Sequence, residues 1–242
     1  MLKKWVFVLR PTRNNTISKN TIPIITIDGP SGSGKGTISR KIASVLSWNI
    51  LDSGAIYRAV AFCARENNLQ ISDELNIRRL IKKTTIKFKL DSSYKQKILI
   101  NKKDASEDIR SEECGTNASI IAKYEGIRND MVALQRSFLK KPGLIADGRD
   151  MGTVVFSDSK IKIFLTADID VRAKRRYNEL KEKGISVSLA AVLSDMKIRD
   201  NQDKERKHGP LAMAHDSILV DSTNKSIDIV VSEILKYYEK MY

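Results

Sequence analysis

The nine residues Gly29 to Thr37, GPSGSGKGT, constrain this 242-residue chain more than any other feature. They follow an apolar run, Ile25 to Asp28, and precede residues 35 to 46, where Ile38, Ile42, Val45 and Leu46 recur at helical spacing. Glycines at 29, 32, 34 and 36 let the backbone turn its amides inward toward a chain of phosphates, and the helix that starts there adds the positive end of its dipole. Lys35 supplies a point charge for the β and γ phosphates, and a hydroxyl would hold Mg²⁺. The spacing Gly29, four residues, Gly34, Lys35 is that of the P-loop, except that Gly36 stands where Ser or Thr is expected and Thr37 follows one place later.

The rest of the chain alternates in the same way. A strand at 49–52 feeds a helix from about 54 to 67, strands are read at 143–147 and 162–166, charged helices at 168–183 and 188–207, a last strand at 218–221 and a final helix from about Ser226. Strand and helix in alternation predict an α/β fold on a parallel sheet. Two stretches stand apart. IKFKL and KILIN, separated by DSSYKQ, read as a hairpin within an antiparallel lobe at 84–109, and 111–140 reads as helical up to Lys140-Lys141-Pro142-Gly143.

Three further groups of side chains sit where such a sheet opens its ligand crevice. DSGAIYR (52–58) places Ser53, Tyr57 and Arg58 after the second strand, offering a hydroxyl, an aromatic hydroxyl and a fork for phosphate. GLIADGRDMGTVVF (143–156) places Asp147, Arg149 and Asp150 after an apolar strand. An Asp at a strand end suits a magnesium partner, and an Arg can grip phosphate with two N–H groups. Arg172, Arg175 and Arg176 share one helical face and Arg199, Asp203 and Arg206 another, as expected for arginines that close over a phosphoryl group. Outside the context of the phosphate loop, each of these also reads as a solvated helix face or an Asp-Gly turn.

Charge alone suggests a different partner. The net charge is +14, the composition of a nucleic-acid or anionic-surface binder. Five of those charges fall in residues 1–20, a basic, acid-free segment that reads as a poorly ordered extension or an organellar transit segment. Elsewhere the lysines are dispersed and aromatics are 6% of the chain, so the stacking platforms of a single-strand binder are missing. Near the N-terminus the longest apolar run, Trp5 to Leu9, falls far short of a membrane span. Two cysteines without a CxxC and two late histidines argue against zinc and disulfide scaffolds and for a reducing compartment. A GTPase reading rests on Asn101-Lys102-Lys103-Asp104, which spells the guanine-reading NKxD. It follows a hairpin strand, however, and no DxxG switch accompanies it, so the string reads as coincidence.

A glycine after the P-loop lysine is similar to the nucleoside monophosphate kinases. GPSGSGKGT, DSGAIYR, GLIADGRDMGTVVF and IRDNQDKERKHGPL, in that order, resemble bacterial cytidylate kinases over about residues 22–240. The resemblance implies transfer of the γ-phosphoryl group of Mg·ATP to CMP or dCMP. It also implies an α/β P-loop nucleoside monophosphate kinase fold in one domain, 21–242, with a parallel sheet core, an NMP-binding insertion at about 53–140 and a helical lid at about 168–207. By the same resemblance Gly29, Pro30, Ser31, Gly32, Ser33, Gly34, Lys35, Gly36 and Thr37 bind ATP, and Thr37 and Asp147 serve Mg²⁺. Ser119, Arg128 and Asp150 face the cytosine edge, Ser53, Tyr57, Asp203 and Arg199 the pentose, and Arg58, Arg149 and Arg206, with Arg110 nearby, the acceptor phosphate. Lys35, Arg149, Arg172, Arg175, Arg176 and Arg199 are the expected catalytic group. The implied protein is a cytoplasmic monomer without nucleic-acid or membrane partners, and a UMP/CMP-type kinase is the alternative within the class.

Overall fold

The computed structural model describes residues 21–91 and 95–241; the expected extension at 1–20 lies outside them. β1 (Ile24–Asp28) leads into α1 (Lys35–Leu46) and β2 (Asn49–Asp52) into α2 (Ser53–Glu66), while α3 (Glu74–Lys83) precedes an antiparallel meander of β3 (Ile86–Leu90), β4 (Gln96–Ile100) and β5 (Lys103–Asp104). Helices α4 (Glu112–Ile121) and α5 (Glu125–Arg136) return the chain to β6 (Leu144–Gly148) and β7 (Ile161–Thr166). Then α6 (Ile169–Glu182) and α7 (Leu189–Lys204) form an arm before β8 (Ile218–Asp221) and α8 (Ile227–Met241).

The main sheet is parallel throughout, in the order β2-β6-β1-β7-β8. Parallel strands are covered on both faces, which is why β1 and β6 are buried along their whole length. Alternate residues serve opposite layers. Ile25, Ile27, Ile145 and Ile163 pack with Ile38 and Ile42 of α1 and Val230 and Ile234 of α8. Ile24, Leu144 and Ala146 pack with Ile56 and Val60 of α2, and through them with α3, α4, α5 and the meander. Each fully buried aliphatic side chain contributes about 1.5–3 kcal/mol. The arm has a far smaller core of Ala173, Leu180, Val192 and Met196.

The fold agrees with the α/β expectation and differs from it in four places. The helix expected at 54–67 starts at Ser53, because Asp52 Oδ1 accepts the Ala55 N–H (2.9 Å). The helix expected over 111–140 is two helices, broken where Tyr124 takes an extended conformation (φ −80°, ψ 122°), so that α4 packs on α2 and α5 on α3. α3 was not legible as a helix: Ile77 and Ile81 are its only fully buried side chains, among charged neighbours. The hairpin gains a third short strand through the turn at Asn101 and Lys102, whose φ angles of 49° and 71° suit a two-residue connection. Asn101 Oδ1 accepts the Thr85 N–H (2.9 Å), so NKKD is a turn and strand start with a structural purpose.

Candidate active site

The P-loop is shaped by its glycines at three points, Gly29 (φ 152°), where a Cβ would meet the Leu165 carbonyl oxygen, Gly32 (φ 74°) and Gly34 (φ 94°), where other residues would be strained. Within it Lys35 donates to the Pro30 carbonyl (2.8 Å), as does the Ser33 hydroxyl (3.0 Å). At Gly36 a Cβ would lie 3.2 Å from Arg40 Nη1 and 3.4 Å from Asp147 Oδ2. The end of β6 therefore comes to the start of α1, bringing the strand-end carboxylate to the loop. Burial pushes Lys35 down to about 7, helped by Arg149 and opposed by Asp147, Asp28 and Asp203. Burial likewise pushes Asp147 up to about 7, against the pull of Lys35 and with the repulsion of Asp52.

The donor set fits Mg²⁺ held jointly with a nucleotide. The Asp147 carboxylate accepts no hydrogen bond from another protein group among the described residues, and the Thr37 hydroxyl, on α1 in the wall of the same cleft, accepts from Arg40 (3.1 Å). Among those residues no cluster of three or more His, Cys, Asp or Glu side chains makes a self-contained cage. One carboxylate, a hydroxyl and substrate phosphates is how Mg²⁺ is commonly bound.

One cleft of about 640 Å³ joins this loop to the other sequence-predicted groups. Its walls include Ser31, Gly32, Gly34, Lys35, Gly36 and Thr37 on one side, and Ser53, Tyr57, Arg58, Arg110, Ser119, Arg128, Arg149 and Asp150 on the other. Arg176, Arg199, Asp203 and Arg206 approach from the arm. Asp203 is the hub: Arg149 Nε donates to Oδ2 (2.7 Å) and Arg206 to Oδ1, and the two arginines hold its carboxyl below the usual range despite burial. Deeper in the cleft, Arg128 and Asp150 form an ion pair with both side chains buried. Tyr57, pushed up to about 12 by burial, stays a neutral hydroxyl. Arg58 is aimed by the carbonyls of Ile109 (3.1 Å) and Ser111 (2.9 Å), and Ser119 donates to Gly115 (3.1 Å).

Five expected residues are not part of the cleft wall. Gly29, Pro30 and Ser33 form the inner side of the P-loop. Arg172 lies beneath it, donating to the carbonyls of Ser31 (2.9 Å) and Ala167 (3.0 Å) and to Asp200 (2.7 Å). Arg175 turns away to Ser222. Spacings of 3 and 4 from Arg172 put 172, 175 and 176 on one helical side, but only Arg176 reaches the cleft. There it shares Glu112 of α4 with Arg199 of α7, at 2.7 Å and 3.1 Å. Sequence reading missed Glu112, Asp52 and Arg40; Asp52 alone carried a signal, as a strand-end carboxylate before a helix.

A family model described as cytidylate kinase matches residues 25–240. The curated relatives include a cytidylate kinase of Methylococcus capsulatus, 48% identical over 217 residues, covering 90% of this chain and 97% of the relative. Others from Nitrosomonas europaea (92% and 97% covered) and Pseudomonas aeruginosa (90% and 96%) are each 44% identical.

Proposed function

The chain belongs to the cytidylate kinase family, nucleoside monophosphate kinases, and from that premise we propose that it transfers the γ-phosphoryl group of ATP to CMP or dCMP. The observation that carries this reading is the single cleft with a phosphate loop at one end and a buried Arg128–Asp150 pair at the other. The P-loop amides and Lys35 take the ATP phosphates, and Mg²⁺ held by Thr37 and Asp147 would neutralise charge between them. Arg58, Arg149 and Arg206 grip the acceptor phosphate, and Ser53, Tyr57, Asp203 and Arg199 the pentose. Ser119, Arg128 and Asp150 present donors and acceptors to the cytosine edge.

The acceptor oxygen is already anionic, so the reaction needs no general base, which suits a site without histidine. What the side chains supply is alignment and charge neutralisation for in-line transfer. Closure of the α6–α7 arm brings Arg176 and Arg199 over the transferring group and excludes water, protecting ATP from hydrolysis. The segment around 53–140 thus serves as the NMP-binding lobe and 168–207 as the lid. Arg172 and Arg175 support the P-loop and the β8 end from behind. None of the described helices is long and apolar enough to cross a membrane, and a monomer in the cytoplasm, acting on free nucleotides, suits the two free, buried cysteines and the small-molecule cleft. A coupled ADP-release assay with CMP, dCMP, AMP and GMP tests the reading: CMP and dCMP should react much faster, and equal rates on all four would overturn the cytidine assignment.

A further inference from the structure

Asp28, the last residue of β1, has no place in the reaction as described so far, yet it is one of the most constrained side chains in the molecule. It is 5% exposed, and its carboxylate accepts the N–H groups of Met151 (2.9 Å) and Gly152 (2.7 Å). These are the first two amides of a single π-helical turn, Met151–Val155, that follows Arg149 and Asp150. The first amides of a helical turn have no acceptor within the turn itself, and the residue before it normally supplies one. That residue is Asp150, and its side chain makes no such bond; it is committed to Arg128 instead.

We propose that Asp28 is a positioning residue: by capping the 151–155 turn from a neighbouring strand, it releases the Asp150 carboxylate to pair with Arg128 and face the acceptor nucleotide. The inference rests on the assignment of Arg149 and Asp150 to the acceptor side. Strand geometry makes the arrangement possible. Alternation along β1 puts Asp28 on the same face as Ile24 and Thr26, and β6 runs beside it in register, Asp28 opposite Gly148. Gly152 lets the turn approach that face. A methyl group there would lie 3.0 Å from Thr26 Oγ1 and 3.3 Å from Lys162 Cδ. Burial, with the repulsion of Asp150, raises Asp28 to about 6, while the two amides and Lys35 pull it back, so the amides are what keep a carboxylate tolerable there. One residue thus ties the strand that carries the P-loop to the turn that carries the acceptor-side pair.

Asp28→Asn keeps the shape but offers one acceptor and one donor to two N–H groups, so one amide loses its cap and Asp150 is drawn back to it. Steady-state kinetics of the intact protein should then show the KM for CMP raised about tenfold or more, with the KM for ATP little changed. A role confined to fold stability would lower the melting temperature and leave both KM values in place, and that outcome would overturn the proposal. Gly152→Ala strains the same turn from its other side and should raise the KM for CMP selectively too. If Asp28→Asn does not fold, this variant decides alone, with equal changes in both KM values, or none, counting against the proposal. If both fold, the double variant should raise the CMP KM no more than the worse single variant, whereas multiplicative effects would mean separate causes. A wild type inactive on CMP is a different failure, that of the functional assignment.

Discussion

At the residue scale the cleft depends on carboxylates that hold arginines in place before substrate arrives. Asp203 is the clearest case. Its folded value lies below the ordinary 3.8 because Arg149 and Arg206 outweigh burial. A carboxyl depressed in this way stabilises the fold at pH above its unfolded value, and that contribution is lost as pH falls through the folded one. Asp203→Asn should therefore destabilise the protein at pH 7 by about 3 kcal/mol, the lower range for breaking a buried pair. In urea melts from pH 7 to pH 3 the gap from wild type should hold to about pH 5 and close as the pH falls below 3.8. A gap independent of pH would assign the loss to packing. The identity of these residues was legible from the sequence, and so was the spacing of three that sets Arg206 beside Asp203. The pairing with Arg149 was not: it lies 54 residues away, and no local spacing signals that it shares the same carboxylate.

At the scale of elements, the arm formed by α6 and α7 is lightly anchored, with a four-residue core of its own. Glu112 at the start of α4 links it to the opposite lobe through Arg176 and Arg199. The Glu112 side chain is 56% exposed, and exposed pairs are worth about 0.2–1 kcal/mol each. Glu112→Gln frees two arginines from a competing carboxylate, so the KM for ATP should fall, by no more than about five-fold. A rise in that KM would show that Glu112 aligns the arginines rather than occupying them. Elements with a strong apolar period were legible: the strands β1, β6 and β7, and the helices α1 and α2. α3 was missed because its buried face is narrow, Ile77 and Ile81 among charged neighbours, whereas α4 and α5 were fused because the helical pattern continues across the break between them. Their limits are set by caps at Asp73 and Ser111 and by the extended Tyr124.

For the whole molecule, five units of the +14 charge fall in the N-terminal segment, several arginines from α2, α5, the β6 loop and both arm helices gather in the cleft, and dispersed lysines elsewhere carry the remainder. The family match begins at residue 25, so deletion of residues 1–20 should leave the KM for CMP and for ATP within about two-fold of the full chain. A large loss would place that segment in the working fold. By itself the sequence determined the α/β class, the phosphate loop and the residue types of the site, because glycine placement, apolar period and strand-end carboxylates act over a few residues. Only the tertiary structure decided which arginines face the cleft, that Arg172 and Arg175 stand behind it, and that Asp28 rather than Asp150 caps the 151–155 turn. Those assignments depend on which strand lies beside which and on where a buried carboxylate finds its donors, and these are properties of the packed sheet that no local stretch of the chain contains.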